Sequence, residues 1–262
     1  MKMHEERPET GSDRLILVIT DEPEEAELAA VSRLYEKAMA FDRSGYSLPD
    51  DADSYFFLYR GEKLLSFLAA YQMGETRGGR QITEIVAYTD PSERRKGYFK
   101  RLLNALSEEP EGESVLRFCV YENELLLKVL ESLHARRDHA ELIMTRSLSE
   151  DAVKNDAPSG LVSFEPETKQ DGSEDYFCRG LFSECRVRLF GRRAYIFGVL
   201  TYEGHRRENR AFRLLGEVLS RCRLKGAAEA FLEVSDENTA AVGLYRKLGF
   251  RETERLVYYE SQ

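Results

Sequence analysis

The chain is short of positive charge. Lys and Arg number 38 against 47 Asp and Glu, giving a net charge of −9. Broad nucleic-acid binding needs a basic footprint, so that class is excluded. Long apolar runs are also missing. The most apolar stretches, such as Leu15-Ile16-Leu17-Val18-Ile19, are far too short to span a bilayer, so no membrane role is expected. The first ten residues are polar, which predicts no signal peptide and a cytoplasmic location. Cysteine is sparse. Cys119, Cys178, Cys185 and Cys222 form no CxxC pair, and the four histidines are scattered. Neither a metal site nor a disulfide framework is expected, and Cys119, in an apolar strand, reads as a buried thiol.

What is present fits a soluble globular protein. Over 262 residues, 42% are hydrophobic and 32% charged, enough for one large domain or two ordinary ones. Two basic clusters stand out against the acidic background. One is Arg94-Arg95-Lys96 with Lys100-Arg101, the other His205-Arg206-Arg207 with Arg210 and Arg213. They sit at equivalent places in a repeat. In the first copy a strand (Ile82 to Thr89) leads into the cluster. A helix (Lys100 to Ser107), a strand (Val115 to Val120) and a helix opened by Asn123 follow. In the second copy the strand is Tyr195 to Tyr202. The helix carries Leu214, Leu215, Val218 and Leu219, the next strand is Ala230 to Val234, and Asn238 opens the last helix. The intervals Arg94 to Asn123 and Arg206 to Asn238 differ by a few residues, which a surface turn absorbs.

Ahead of its cluster the first half predicts a strand at Leu15 to Ile19. A helix from about Glu22 to Ala40 follows, with Leu28, Val31, Leu34 and Ala38 on one side. A hairpin then turns at Gly61, between Tyr55 to Tyr59 and Lys63 to Met73. The second half offers only Leu161 to Phe164, then strands near Tyr176-Phe177 and Val187 to Phe190, with no first helix. The polar stretch Ser149 to Gly160, ending Pro-Ser-Gly, reads as a linker. The expected division is therefore 13–148, linker 149–160, and 161–262.

The segment Asn238 to Phe250 carries most of the functional signal. Asn238 can cap a helix start, Ala241, Leu244 and Leu248 recur as one buried face, Tyr245 lies beside that face, and Gly249 is a stop. An ordinary capped helix with a packed Tyr would read the same way. The pattern N-x-x-A-x-x-L-Y-x-K-x-G-F resembles the GNAT superfamily of N-acetyltransferases. The resemblance implies an α+β fold of two GNAT-like mixed β-sheet domains with flanking helices, the second copy lacking the first helix. It also implies acetyl-CoA as the cofactor, held in part by Asn238 and Tyr245.

The family's phosphate loop has the form Q/R-x-x-G-x-G/A. The first copy reads Arg94-x-x-Gly97-x-Phe99 and the second Arg206-x-x-Asn209-x-Ala211. Asn tolerates left-handed backbone better than most residues. A helix N-terminus flanked by Arg and Lys suits the pyrophosphate of coenzyme A. The resemblance thus places Thr89, Arg94, Arg95, Lys96, Gly97, Tyr98 and Phe99 at the cofactor in the first copy. In the second it places Val199, Leu200, Thr201, Arg206, Arg207, Glu208, Asn209, Arg210 and Ala211 there.

The two copies are not equivalent. Leu130 stands at the Tyr position of the first, and His134-Ala135 replaces Gly-Phe, so that copy reads as catalytically impaired, with a loop that still suits coenzyme A; the opposite assignment of the active copy is the alternative. The implied reaction is attack of an amine on the acetyl thioester, with Tyr245 giving a proton to the departing thiolate. Glu203 is the expected base and Glu233 another choice; in the first half Glu84 lies within the strand, facing either the cleft or solvent. The acceptor is expected to be a small-molecule or peptide amine, and the acidic chain favours a cationic one. A non-catalytic module that binds acyl-CoA is the alternative. Either would be a monomer or a homodimer.

Overall fold

A computed structural model describes residues 2–4, 14–42, 51–76, 79–108, 114–122, 124–148, 161–168 and 174–261. The chain divides into two compact units. One comprises residues 1–138 and 256–262, the other 139–255.

The first unit orders its strands β1 (Lys2–His4), β2 (Leu15–Thr20), β3 (Ser54–Arg60), β4 (Lys63–Glu75), β5 (Gln81–Thr89) and β6 (Val115–Val120) across one sheet. All neighbours are antiparallel except β5 and β6, which run parallel. The sheet is buried on both faces. Phe57, Phe67 and Ala69 pack with Val31, Leu34 and Ala38 of α1 (Glu25–Asp42), while the alternate residues Phe56, Leu58 and Leu68 are fully buried on the other side. Leu28 is 41% exposed and stays outside the buried stripe that its spacing suggested. Helix α2 (Tyr98–Ser107) packs on β3, β4 and β5, and α3 (Glu124–Ser132) follows β6.

The second unit orders β7 (Arg136–Ser147), β12 (Glu229–Ser235), β11 (Arg193–Thr201), β10 (Ser183–Phe190), β9 (Glu174–Gly180) and β8 (Ser163–Thr168). Here β11 and β12 are the parallel pair. Helix α4 (Arg210–Leu224) packs on β9, β10 and β11, and α5 (Thr239–Lys247) follows β12. Among the described residues no counterpart of α1 occurs in this unit.

Sequence order and unit membership cross. Strand β7 follows α3 of the first copy, yet its C-terminal part pairs with β12 of the second, Glu141 to Ser147 facing Ser235 to Glu229. The last strand, β13 (Arg251–Glu260), follows α5 of the second copy, yet its end pairs with β6 of the first, Val257 to Glu260 facing Val120 to Arg117. Each copy thus gives the end of its chain to the other copy's sheet. The expected boundaries kept 139–148 with the first half and 256–262 with the second; in the structure each clusters with the opposite unit. The linker 149–160 lies outside the described residues.

Candidate active site

In both units the parallel strands pair only at their beginnings. Strand β11 meets β12 at Arg193, Ala194 and Tyr195, opposite Glu229, Ala230 and Phe231. Beyond that β11 stays with β10 and β12 stays with β7, so an opening forms between their C-terminal ends. In the first unit β5 and β6 pair from Ile82 to Ile85 and then part in the same way.

The second opening has a feature the first lacks. Between Phe197 opposite Arg186 and Leu200 opposite Glu184, β11 carries one extra residue, a bulge at Gly198 with φ 61°. Such a bulge leaves backbone groups out of the ladder. The matching stretch of β5 is regular through Thr89. Past the bulge Val199 and Thr201 are half-buried, and Leu200 is 46% exposed.

The basic loops that follow share one backbone path. Arg95 and Gly97 have φ of 67° and 82°, and Arg207 and Asn209 have φ of 63° and 58°. Alternating left-handed residues turn successive N–H groups toward one side and form an anion-binding concavity. Neither Gly97 nor Asn209 caps its helix with a side chain, so the first N–H groups of α2 and α4 receive no cap there. The second loop is steadied by stacking. The His205 ring lies 3.6 Å from the Phe182 ring at 4°, and the Arg210 guanidinium lies 5.5 Å from it. Tyr202 N–H donates to the Phe182 carbonyl at 3.0 Å.

The charges of the two loops are disposed differently. In the first, Arg94 makes paired hydrogen bonds to Asp42 and a third to the Thr89 carbonyl, at 2.8, 2.7 and 3.3 Å. Lys96 binds Glu93 at 2.7 Å, and Lys63 joins them at 3.0 Å. These lysines hold Glu93 at about 2. Burial alone would raise Asp90, but hydrogen bonds from Ser92 and the charges of Lys63 and Lys37 bring it to about 2. Tyr98 is buried with its hydroxyl against Arg60, Phe99 is half-buried, and Arg95 is exposed. In the second loop Arg210 binds Glu208 at 3.0 Å. Arg206 and Arg207 are exposed and meet no carboxylate among the described residues. Ala211 is half-buried at the first turn of α4.

Helix α5 follows β12 in the second unit. The Asn238 Oδ1 accepts a hydrogen bond from Ala241 N–H at 3.2 Å and caps the helix. The buried face is Val242, Tyr245 and Leu248, so Tyr245 stands on it, whereas Ala241 and Leu244 are only half-buried. The Tyr245 ring meets Phe250 edge-on at 6.0 Å. Burial, aided by the nearby Cys185 thiol, pushes its phenol up to about 12. Its hydroxyl makes no hydrogen bond among the described residues. Gly249, at φ 83°, lets Phe250 N–H return to the Tyr245 carbonyl at 3.0 Å.

The first unit repeats this turn without the phenol. His134 takes φ 55°, and Ala135 N–H returns to the Leu130 carbonyl at 3.0 Å. Leu130, 2% exposed, therefore occupies the place of Tyr245. Asn123 lies outside the described residues.

The carboxylates considered as bases are dispersed. Glu203 is exposed in the turn after β11 and makes no ion pair or hydrogen bond among the described residues. Glu233, on β12, accepts a hydrogen bond from the Tyr195 hydroxyl at 3.5 Å. In the first unit, burial raises Glu84 against the opposing charge of Arg117. Sequence reasoning passed over β7 and the residues it brings to β12. The signal was present: Ala140, Leu142 and Met144 are buried at every second position, with Glu141 and Ile143 between them half-buried.

Comparison with known proteins follows this architecture. Two segments, residues 18–133 and 121–250, match the acetyltransferase (GNAT) family. No curated protein matches the chain. Among solved structures, a GCN5-related N-acetyltransferase from Sphaerobacter thermophilus superposes with TM-score 0.62 at 15% identity, over 94% of this chain and 95% of that one. A tandem GNAT protein from the clavulanic acid biosynthesis pathway gives 0.65 at 13% identity, over 95% and 98%. A GNAT-family acetyltransferase from Colwellia psychrerythraea gives 0.55 at 15% identity, over 94% and 100%. At these identities the likeness is one of fold.

Proposed function

Because the chain belongs to the acetyltransferase (GNAT) family, as a tandem of two copies, we propose that its second unit transfers acetyl from acetyl-CoA to a primary amine. One observation carries the reading. Tyr245 is kept at the turn where the first unit has Leu130, and it stands in the unit whose Arg206 and Arg207 meet no carboxylate among the described residues.

The residues fit the cofactor. Left-handed Arg207 and Asn209 would shape an anion cradle at the start of α4, flanked by the exposed Arg206 and Arg207 guanidinium groups. Arg206, Arg207 and the N–H groups of Asn209, Arg210 and Ala211 would hold the pyrophosphate. The exposed Leu200 and the end of β11 offer an apolar edge for the pantetheine arm. Bound acetyl-CoA supplies an acyl group activated as a thioester. The bulge at Gly198 would leave backbone N–H groups of β11 outside the ladder, and such donors stabilise negative charge growing on a carbonyl oxygen. Tyr245, with its phenol pushed up to about 12, stays protonated across the physiological range and would give its proton to the departing sulfur.

The test is Tyr245→Phe, assayed with acetyl-CoA and a panel of primary amines. A general acid of this kind contributes ~100-fold or more, so kcat should fall by at least that factor while cofactor affinity holds. Tight binding of acetyl-CoA by the wild type with transfer to no amine would instead support the non-catalytic acyl-CoA-binding module.

A further inference from the structure

The two faces of the second sheet differ at the opening between β11 and β12. Cys178 and Cys185 face each other across β9 and β10. They lie on the α4 side, because a Cβ on Gly180, two residues beyond Cys178, would sit 3.5 Å from Leu214. Helix α5 ends on this side too, because a Cβ on Gly249 would sit 3.6 Å from the Arg146 side chain, and Arg146 pairs with Ala230 on the α4 face.

The opposite face carries a row of rings. Tyr195 stacks on Phe197 at 5.2 Å and on Phe231 at 5.0 Å, all three half-buried. Cations at the far end of the row are already engaged: Arg193 with Glu229 at 2.9 Å and Arg188 with Asp175 at 2.5 Å. At the near end stands Glu233, two residues past the last paired residue of β12, taking the Tyr195 hydroxyl. Beside it, β7 brings Glu141. The register sets Ile143 opposite Glu233 and Glu141 opposite Ser235, so the two carboxylates are diagonal neighbours on this face. The Glu141 side chain is 35% exposed, and His139 Nε2 lies 3.7 Å from its Oε1. Asp236 is committed elsewhere, to Ala140 N–H at 3.0 Å and to Arg255 at 3.6 Å.

We propose that this face receives the acceptor as a protonated aliphatic amine, its ammonium between Glu141 and Glu233 and its carbon chain along Tyr195 and Phe197, and that Glu141 removes the proton. The inference rests on the reading of the second unit as an N-acyltransferase. Two neighbouring carboxylates repel each other until a cation sits between them, and aromatic faces favour the same cation. Glu141 suits proton removal better than Glu233, whose oxygen is engaged by Tyr195, or Glu203, which lies in an exposed turn. Burial raises the Glu141 carboxyl, His139 opposes, and Glu233 and Asp236 add to the rise. A carboxylate so raised is a stronger base. Acid and base then approach the opening from opposite faces.

The step balances. Glu141 takes one proton from the ammonium. The nitrogen lone pair forms the C–N bond, and the C–S bond breaks with its electrons on sulfur. Sulfur takes the Tyr245 proton, and Tyr245 regains one from the acylated nitrogen through water. The products are an amide, a free thiol and one proton released from Glu141. A strand encoded by the copy without the phenol thus supplies the base to the copy that has it.

The experiment measures transfer from acetyl-CoA to 1,4-diaminobutane, 2-phenylethylamine and a capped lysine amide, for wild type, Glu141→Gln, Glu141→Asp and Glu233→Gln. Glu141→Gln should lower kcat by ~100-fold or more. It should also lose the rise of kcat/KM with pH that the wild type shows as Glu141 ionises, while keeping its melting shift with acetyl-CoA. Glu141→Asp should restore part of the rate. Glu233→Gln should raise the KM for amine by about tenfold with little change in kcat. Near-wild-type kcat and pH dependence in Glu141→Gln would overturn the assignment of the base and leave the transferase reading standing. A wild-type protein that binds acetyl-CoA and acylates none of the three amines would overturn both.

Discussion

Asp42, the last residue of α1, holds Arg94 through two parallel hydrogen bonds of 2.8 and 2.7 Å. Bidentate pairs of this kind are among the stronger charge-assisted contacts, and a phosphate would have to displace it. Among the described residues the second unit has no α1 and no carboxylate paired with Arg206. We expect Arg206→Gln to abolish most of the melting shift produced by acetyl-CoA, and Arg94→Gln to leave it. A ligand at 100 times its dissociation constant adds ~2.7 kcal/mol, well within reach of a thermal titration. The reverse outcome would move the cofactor to the first unit.

Asn209 tests the loop geometry apart from its charge. At φ 58° it occupies backbone space where Gly97 stands in the other copy. Asn209→Gly should bind acetyl-CoA as the wild type does. Asn209→Val places a branched side chain in the left-handed region, at a cost of about 1–2 kcal/mol. A drop in both melting temperature and cofactor affinity is expected for Val alone. Equal affinity in all three proteins would show that the left-handed turn does not shape the cradle.

The acidic residues of the first loop predict a pH dependence. Asp90 and Glu93 are both brought to about 2 in the folded unit. Their unfolded values are near 4, so the folded state favours the ionised form. The stability they contribute is present above about pH 4 and is lost as pH falls from there through about 2. Thermal melts of the first unit should be flat above pH 5 and fall steeply below pH 4. Glu93→Gln should flatten part of that acid limb. An acid limb of unchanged steepness in the variant would remove Glu93 from the account.

Much of this was legible in the chain. The two basic turns, the strands that feed them and the capping role of Asn238 are local features, set by a few adjacent residues. The face of α5 was misjudged by one position. Ala241 is small enough to sit at the edge of the stripe, and the larger Val242 takes the buried place beside Tyr245. The bulge at Gly198 had a signal, since Gly inside a strand often marks one. What sequence order concealed is the exchange of final strands. The alternation of Ala140, Leu142 and Met144 announces a strand, but nothing local says that its partner is Leu232 and not Phe118.

That exchange makes a prediction about which amides depend on which end of the chain. Val257, 1% exposed, and Tyr259, 9% exposed, bury their side chains in the first unit. Tyr259 reaches Glu122 with its hydroxyl, Glu260 holds Arg117 at 2.6 Å, and Ser261 Oγ accepts from Leu116 N–H at 2.9 Å. Removing residues 256–262 leaves β6 without its antiparallel partner, whereas β12 keeps β7 along its full length. Hydrogen exchange of the truncated chain should therefore speed up at Val115 to Val120 and stay slow at Glu229 to Ser235. Val257→Asp should do the same more mildly, by burying a charge at the same seam. The protection of β12 matters for function, since Glu141 reaches its place only while β7 is paired there. Fast exchange at β12 with β6 still protected would mean that the final strand belongs to its own copy.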